Sequence, residues 1–144
     1  MRLRIVSGPT RPSRSDGPAW VHVEWAGRVG HPSSYGLLGG TRVDKSVVRI
    51  QPSGAKFRDS LASGADDVRW GSQPEFDVAI SDALQSQPQG VLVSQAAHGA
   101  IGSSPYVFAR LARFLGRILA TDVPAEDAEV WRLFDQVWSD PSLR

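Results

Sequence analysis

The strongest constraint in the sequence is a helical pattern of apolar residues that follows Ser103-Ser104-Pro105. A serine before a helix accepts a hydrogen bond from a backbone N–H that the helix leaves without a partner, and proline fits the first turn. The predicted apolar face contains Val107, Phe108, Leu111, Leu115, Ile118 and Leu119, and a second face carries Arg110, Arg113 and Arg117. This amphipathic pattern predicts a helix over 105–119 that must bury its apolar side against another layer.

Two more helices are predicted from the same spacing. The first covers 74–87 and ends before Pro88, because the residue before a proline is disfavoured in a helix. Its apolar positions are Phe76, Ile80, Ala83 and Leu84. The second covers 124–138 and begins with acidic residues, which suit the positive end of the helix dipole. Its apolar face consists of Val130, Trp131, Phe134, Val137 and Trp138.

Three segments have the patterns of β-strands. Residues 19–26 alternate bulky and polar side chains, which indicates a half-buried strand, while 46–51 and 90–97 are short and mostly apolar. Residues 27–41 contain five glycines and are predicted to form a long loop. Loops of this length inside compact domains are often functional.

These elements predict one two-layer α/β (α+β) domain, a mixed sheet of about four strands with helices on one face. The 144 residues are enough for one such domain. We expect a flexible N-terminal arm over 1–18, the domain itself over 19–120, and a C-terminal helix over 121–144 packed on that domain. The sequence contains no cysteine and no apolar run long enough for a membrane span, and the N-terminus lacks a signal-peptide pattern. A cytoplasmic location is therefore expected.

Charge is unevenly distributed along the chain. Residues 1–60 hold ten basic and four acidic residues, whereas residues 61–144 hold six basic and eleven acidic ones. A basic half favours a surface that faces a polyanion, although folding can also mix these charges over the whole surface.

No complete catalytic or metal-binding motif is visible. His22, His31 and His98 are scattered and have no cysteine to complete a zinc site. Ser103 and Ser104 lack the glycine two positions later that a nucleophile elbow requires, and no acid is placed to orient a histidine. We therefore expect no metal and no cofactor, and favour binding over catalysis.

The segment Gly99-Ala-Ile-Gly-Ser-Ser104 opens a helix with a glycine-rich turn, an arrangement that can present backbone N–H groups to an anion. It lacks the Gly-Lys-Ser/Thr ending of a P-loop. It resembles the phosphate loop of the small-molecule kinases that include galactokinase, homoserine kinase and mevalonate kinase. The resemblance covers about ten residues, lacks the other motifs of that family, and implies nucleotide or phosphate binding as one alternative.

A longer pattern runs from Val47 to Leu115. It reads as an apolar strand, a Gly turn with a Phe, a helix entered by an aromatic residue, a Val-rich strand, a His, and Ser-Ser-x-x-x-Phe. The matching segments are Val47-Val-Arg-Ile50, Gly54-Ala-Lys-Phe57, Phe76-Asp-Val-Ala-Ile-Ser-Asp-Ala-Leu84, Val91-Leu-Val93, His98 and Ser103-Ser-Pro-Tyr-Val-Phe108. This order resembles domain IV of translation elongation factor G and related translational GTPases. The chain has one extra residue between the histidine and the serines, and it carries no GTPase domain.

The resemblance implies a ribosomal protein S5 domain 2-like fold, which includes a left-handed βαβ crossover. It also implies that two loops, at 28–42 and 98–104 by position, meet at one tip that contacts the ribosome or structured RNA. The residues expected to cluster there or to contact RNA are Arg28, His31, Tyr35, Arg42, His98, Ser103 and Ser104. The glutamine of the family's first tip loop is missing here, and the helix at 124–138 has no counterpart in that domain. A protein-interaction domain that uses Trp131, Phe134 and Trp138, by self-association or with a partner, stays open as another alternative.

Overall fold

The computed structural model describes residues 2–8, 20–27, 35–43, 48–50, 68–85, 87, 90–99, 104–121 and 126–141. These residues form a mixed sheet of six strands together with three helices. The strands are β1 (Arg2–Ser7), β2 (Val21–Ala26), β3 (Tyr35–Val43), β4 (Val48–Ile50), β5 (Val68–Trp70) and β6 (Gly90–Gly99). The helices are α1 (Pro74–Gln85), α2 (Pro105–Ala120) and α3 (Asp127–Trp138).

Strand β6 organises the sheet. It pairs antiparallel with β3 along one edge, and its other edge is shared by β4, which is parallel to it, and β5, which is antiparallel. Strands β3, β2 and β1 continue the sheet as antiparallel neighbours. The sheet therefore joins the three predicted strands and is mixed, as expected. It contains more strands than the predicted four.

The prediction of a flexible arm over 1–18 is wrong for its first part. Residues 2–7 form β1, which pairs with β2 along its whole length. Leu3 and Ile5 alternate with Arg4 in this strand and pack against the core. The alternation of basic and apolar residues from Arg2 to Ile5 is therefore the pattern of a β-strand, although its charge suggested an exposed arm. Residues 9–18 of the predicted arm lie outside the described residues.

The prediction of a loop over 27–41 is wrong from Tyr35 onward. Strand β3 begins there, and its glycines allow close packing rather than a turn. A β-carbon at Gly36 would lie 2.6 Å from Leu111 Cδ1 of α2, so the missing side chain lets the helix approach the sheet. Residues 28–34 of this predicted loop lie outside the described residues.

The predicted apolar faces of the helices are confirmed. All four predicted positions of α1 and all six of α2 are buried, and so are Phe134 and Val137 of α3. These side chains form one hydrophobic cluster with Val21, Val23 and Trp25, which are alternate residues of β2. The three helices therefore pack on the face of the sheet to which these residues point, which we call the helix face.

Arg110 departs from the predicted basic face of α2, because it is only 1% exposed. Its Nε donates a hydrogen bond to the backbone carbonyl of Trp138 at 2.8 Å, and its guanidinium lies 3.3 Å from the centre of the Tyr106 ring. Trp138 is the last residue of α3, where the helix dipole is negative and the carbonyls lack helical partners. Arg110 therefore joins α2 to the C-terminal end of α3.

The opposite face of the sheet is also buried in part. Ala26, Tyr35, Leu37 and Ala97 form a second cluster there, and Trp70 packs against it. Glu24 points to the same side and is 2% exposed, so β2 is not the half-buried strand that its alternation predicted. Among the described helices, none is long and apolar enough to cross a membrane.

Candidate functional site at the loop end of the sheet

Several strands begin or end at one end of the sheet. Ala26 at the end of β2 pairs with Tyr35 at the start of β3, and Gly36 pairs with His98 near the end of β6. Strand β5 starts at the same place, because Val68 pairs with Gly99. The segments 28–34 and 100–103 therefore connect to neighbouring strand ends. We call this region, defined by Ala26, Tyr35, Gly99 and Ser104, the loop end.

Ser104 is the N-cap of α2, as its position before Pro105 predicted. Its backbone is extended, and its hydroxyl accepts a hydrogen bond from the Val107 N–H at 3.3 Å. Capping of this kind stabilises a helix by about 0.5–2 kcal/mol. Because its hydroxyl is used within the helix, Ser104 serves first to fix where α2 begins.

His98 lies inside the fold rather than on a loop. It is 6% exposed, belongs to β6, and packs edge-on against Phe76 of α1 with the ring centres 5.2 Å apart. Its Nδ1 lies 2.9 Å from the carbonyl oxygen of Gly99. Since a carbonyl can only accept, Nδ1 is the protonated nitrogen in this contact. His98 therefore stabilises the end of β6 from the helix face.

Tyr35 is also buried, on the opposite face of the sheet. It is 1% exposed, and its hydroxyl donates a 2.6 Å hydrogen bond to Glu24 Oε2. The other carboxylate oxygen of Glu24 lies 3.1 Å from Nη2 of Arg4, in β1. This Arg4–Glu24–Tyr35 cluster links the first three strands below the loop end. Burial of an ionised carboxylate is costly unless the carboxylate is paired with a cation and hydrogen-bonded. Arg4 and Tyr35 supply these contacts to Glu24.

The register separates Arg42 from the other expected contact residues. Arg42 pairs with Val91 near the start of β6, whereas Gly36 pairs with His98 near its end. Six residues of extended chain span about 20 Å. The expectation that Arg42 and His98 lie at one tip is therefore wrong. Arg28, His31 and Ser103 lie outside the described residues.

The sequence reasoning missed Glu24 and Arg4. The alternation over 19–26 predicts a half-buried strand, in which a polar residue such as Glu24 belongs to the side away from the core, and Arg4 falls within the predicted flexible arm. The alternation of Arg4 with Leu3 and Ile5 was the available signal, since it places a base opposite the acid once β1 and β2 pair.

The alternatives can be compared with the same geometry. Phe134 contacts Phe114 edge-on at 5.5 Å between ring centres, and Trp138 packs on Trp25 at 4.5 Å. The aromatic face of α3 thus packs within this chain, and Trp131 lies against the same cluster. Among the described residues, no group of three or more His, Cys, Asp or Glu side chains could hold a metal ion.

Comparison with known proteins finds no relative of this chain. No protein-family model matches it, and neither a curated protein nor a solved structure is significantly similar to it.

Proposed function

We propose that this protein is a non-catalytic binding module that associates with structured RNA, with the ribosome as the candidate target, through the loop end. The observation that carries this proposal is the register at that end. This register places the ends of β2 and β6 on either side of the start of β3. The segments 28–34 and 100–103, each of which contains one glycine, therefore follow neighbouring strand ends.

The order of elements also supports the proposal. Apart from the short β5, which comes before α1, the order after β4 is α1 with Phe76 in its first turn, then the Val-rich β6, and then α2 with its serine cap. The resemblance to elongation factor G domain IV implies this order. We extend the proposal to the S5 domain 2-like arrangement, in which the crossover from β4 to β6 is left-handed.

The chemistry of the connecting segments suits a polyanion. Segment 28–34 contains Arg28 and His31, and segment 100–103 contains Gly102 and Ser103 next to the start of α2. Arginine neutralises phosphates, and backbone N–H groups at a helix start favour anions. Histidine can stack on an unpaired base.

The buried residues of the loop end have a different role in this proposal. Tyr35 and His98 are too enclosed to stack on a base while they keep the contacts described above. They instead hold the first residues of β3 and the last residues of β6 at fixed positions. Direct contacts with RNA are therefore assigned to 28–34 and 100–104.

The test compares two arginines that carry the same charge, Arg28 in the segment 28–34 and Arg42 in β3. Affinity for ribosomes and for a structured RNA is measured between 50 and 200 mM salt for the wild type, Arg28→Ala and Arg42→Ala (roughly the range over which phosphate contacts show their salt dependence). We expect the wild-type affinity to fall steeply with salt, because phosphate contacts release counterions. Arg28→Ala should weaken binding and reduce the slope of log K against log salt by about 0.9.

Arg42→Ala is the matched control, since Arg42 lies away from the loop end. It should leave the slope unchanged. A wild-type protein that binds neither ribosomes nor RNA at low salt would disprove the proposal, and equal effects of the two substitutions would disprove the assignment to the loop end. Melting temperatures of all three proteins establish that binding, and not folding, has changed.

A further inference from the structure

A polar cleft lies between α2 and α3, away from the loop end. It has a volume of about 120 Å³. Its lining consists of Gln87, Arg113, Arg117, Gln136, Val137 and Asp140. The two arginines belong to the C-terminal half of α2. Gln87 comes shortly before β6, whose first residue, Gly90, is at the opposite end of that strand from Gly99. Neither the resemblance nor the proposed function assigns anything to this cleft.

Two positive charges are brought together in the cleft. Arg113 and Arg117 are four residues apart and therefore lie on the same side of α2, where like charges repel each other. Asp140 is the one acid in the lining, and it has a further interaction of its own. The lining therefore carries more positive than negative charge, which favours an anion.

Arg113 has a donor that the described protein does not satisfy. Its Nε is buried and makes no hydrogen bond to the described part of the chain. A buried N–H without a partner destabilises a fold, and such groups in native structures call for an explanation by an ion, a water or a ligand. Stabilisation of the helix dipole would account for Arg117 in the last turn of α2, but not for this donor.

Gly116 provides a second, independent observation. Glycine in the interior of a helix is unfavourable relative to alanine, so its presence in α2 needs a reason. A β-carbon at this position would lie 2.9 Å from Cγ and 3.3 Å from Oε1 of Gln87. The missing side chain thus lets the Gln87 amide lie against α2 at Gly116, in the cleft that Arg113 and Arg117 also line. A helix-breaking residue therefore maintains the polar lining of the cleft.

We propose that this cleft is a binding site for a phosphate group. Arg113 and Arg117 would neutralise its two charges, and the guanidinium fork matches phosphate oxygens. Gln87 and Gln136 can donate amide N–H groups to the remaining oxygens. The cleft is far smaller than the roughly 300–1,000 Å³ of pockets that enclose whole drug-sized ligands. It accommodates the phosphate alone, whether inorganic or attached to a small molecule that extends into solvent.

The test is an NMR titration of the full chain with inorganic phosphate, glycerol phosphate and acetate at constant pH and ionic strength. We expect phosphate to shift the Arg113 Nε–Hε resonance in a saturable way, and acetate to bind more weakly. Tighter binding of glycerol phosphate than of inorganic phosphate identifies an ester as the ligand, and the reverse order identifies the free ion. Acetate binding as tightly as phosphate, or no saturable shift with phosphate, overturns the proposal.

Substitutions locate the site. Arg113→Gln should weaken phosphate binding by about tenfold or more, because hydrogen bonds to charged groups are among the stronger ones. Arg132→Gln is the matched control, since Arg132 is exposed on α3 and does not line the cleft, yet the charge lost is the same. Equal binding by these two variants overturns the proposal.

Gly116→Ala should also weaken phosphate binding, because its β-carbon displaces Gln87. Gln87→Ala removes the same amide without strain in the helix, and it decides the role of Gln87 if Gly116→Ala does not fold. Unchanged phosphate affinity in Gln87→Ala shows that the amide takes no part in the site. RNA binding at the loop end should be the same in all these variants, so the two proposals can fail separately.

Discussion

The two faces of the sheet are buried by different means. On the helix face, apolar and aromatic side chains from three helices cover alternate residues of β2, and Phe76 stacks on Phe108 with 4.6 Å between ring centres. On the opposite face, a buried carboxylate is held by a tyrosine and an arginine beside a small apolar cluster. The helix face gains stability from area removed from water, whereas the opposite face depends on geometry between specific polar atoms.

The largest expected effect is on the helix face. Phe108 is 1% exposed, so Phe108→Ala should lower the free energy of unfolding by about 3–5 kcal/mol through lost contacts and a cavity. The measurement is urea unfolding followed by circular dichroism. Val78→Ala on α1 serves as a control with almost no effect, since Val78 is 62% exposed. Similar stabilities of the two variants would contradict the placement of the core.

A smaller effect is expected on the opposite face. Tyr35→Phe removes the hydroxyl that donates to Glu24 and leaves a buried carboxylate with one fewer hydrogen bond. We expect a loss of about 1.5–3 kcal/mol, the range for hydrogen bonds to charged groups. Tyr106→Phe is the matched control, because Tyr106 is 43% exposed on α2 and should lose little. If both tyrosines tolerate the change equally, the hydrogen bond from Tyr35 to Glu24 contributes no stability.

The smallest expected effect is a pH dependence at His22. Burial beside Trp20, whose ring centre is 4.9 Å away, lowers the pKa of His22 below its usual 6.5, so the folded state favours the neutral ring. The unfolded chain therefore binds the proton more readily. The stability contributed by neutral His22 is complete above pH 6.5 and is lost as the pH falls through the folded-state value.

Unfolding free energies of the wild type and His22→Gln between pH 7.5 and 5 test this (from about one unit above to about one and a half units below the ordinary histidine pKa). The substitution removes this histidine's titration and leaves the nearby Glu24 and Arg4 in place. The wild type should lose more stability on acidification than the variant. Parallel curves would mean that His22 titrates as it does in the unfolded chain.

The same contrast explains which parts of the fold could be predicted from the sequence. The faces of α1 and α2 follow from apolar spacing alone, and every predicted core position on them is buried. Periodicity could not show that Glu24 is buried, because its partners lie on other strands and depend on the pairing of β1, β2 and β3. Arg110 was assigned to a basic face for the same reason, since its acceptor is 28 residues away at the end of α3.

The candidate site was predicted only in its outline. Ser104 and the order of elements follow from local patterns, and the cap is where the sequence placed it. The glycines over 27–41 predict a loop, because a sequence shows where a side chain is missing but not which neighbouring atoms occupy that space, such as Leu111 beside Gly36. The position of Arg42 depended on that error. Once 35–43 is a strand, each residue carries the chain further from His98.

The contact between Arg110 and Trp138 also determines where α3 can sit along its axis. A purely apolar contact between two helices tolerates a shift of one turn, about 5.4 Å, because similar side chains recur at that interval. A buried guanidinium bonded to the last carbonyl of α3 does not tolerate this shift. The carbonyls one turn before the end of the helix already accept hydrogen bonds within the helix, so they cannot replace it. Any such sliding would leave the charge without its acceptor. Arg110 therefore fixes the axial position of α3 relative to α2 at the C-terminal end of α3.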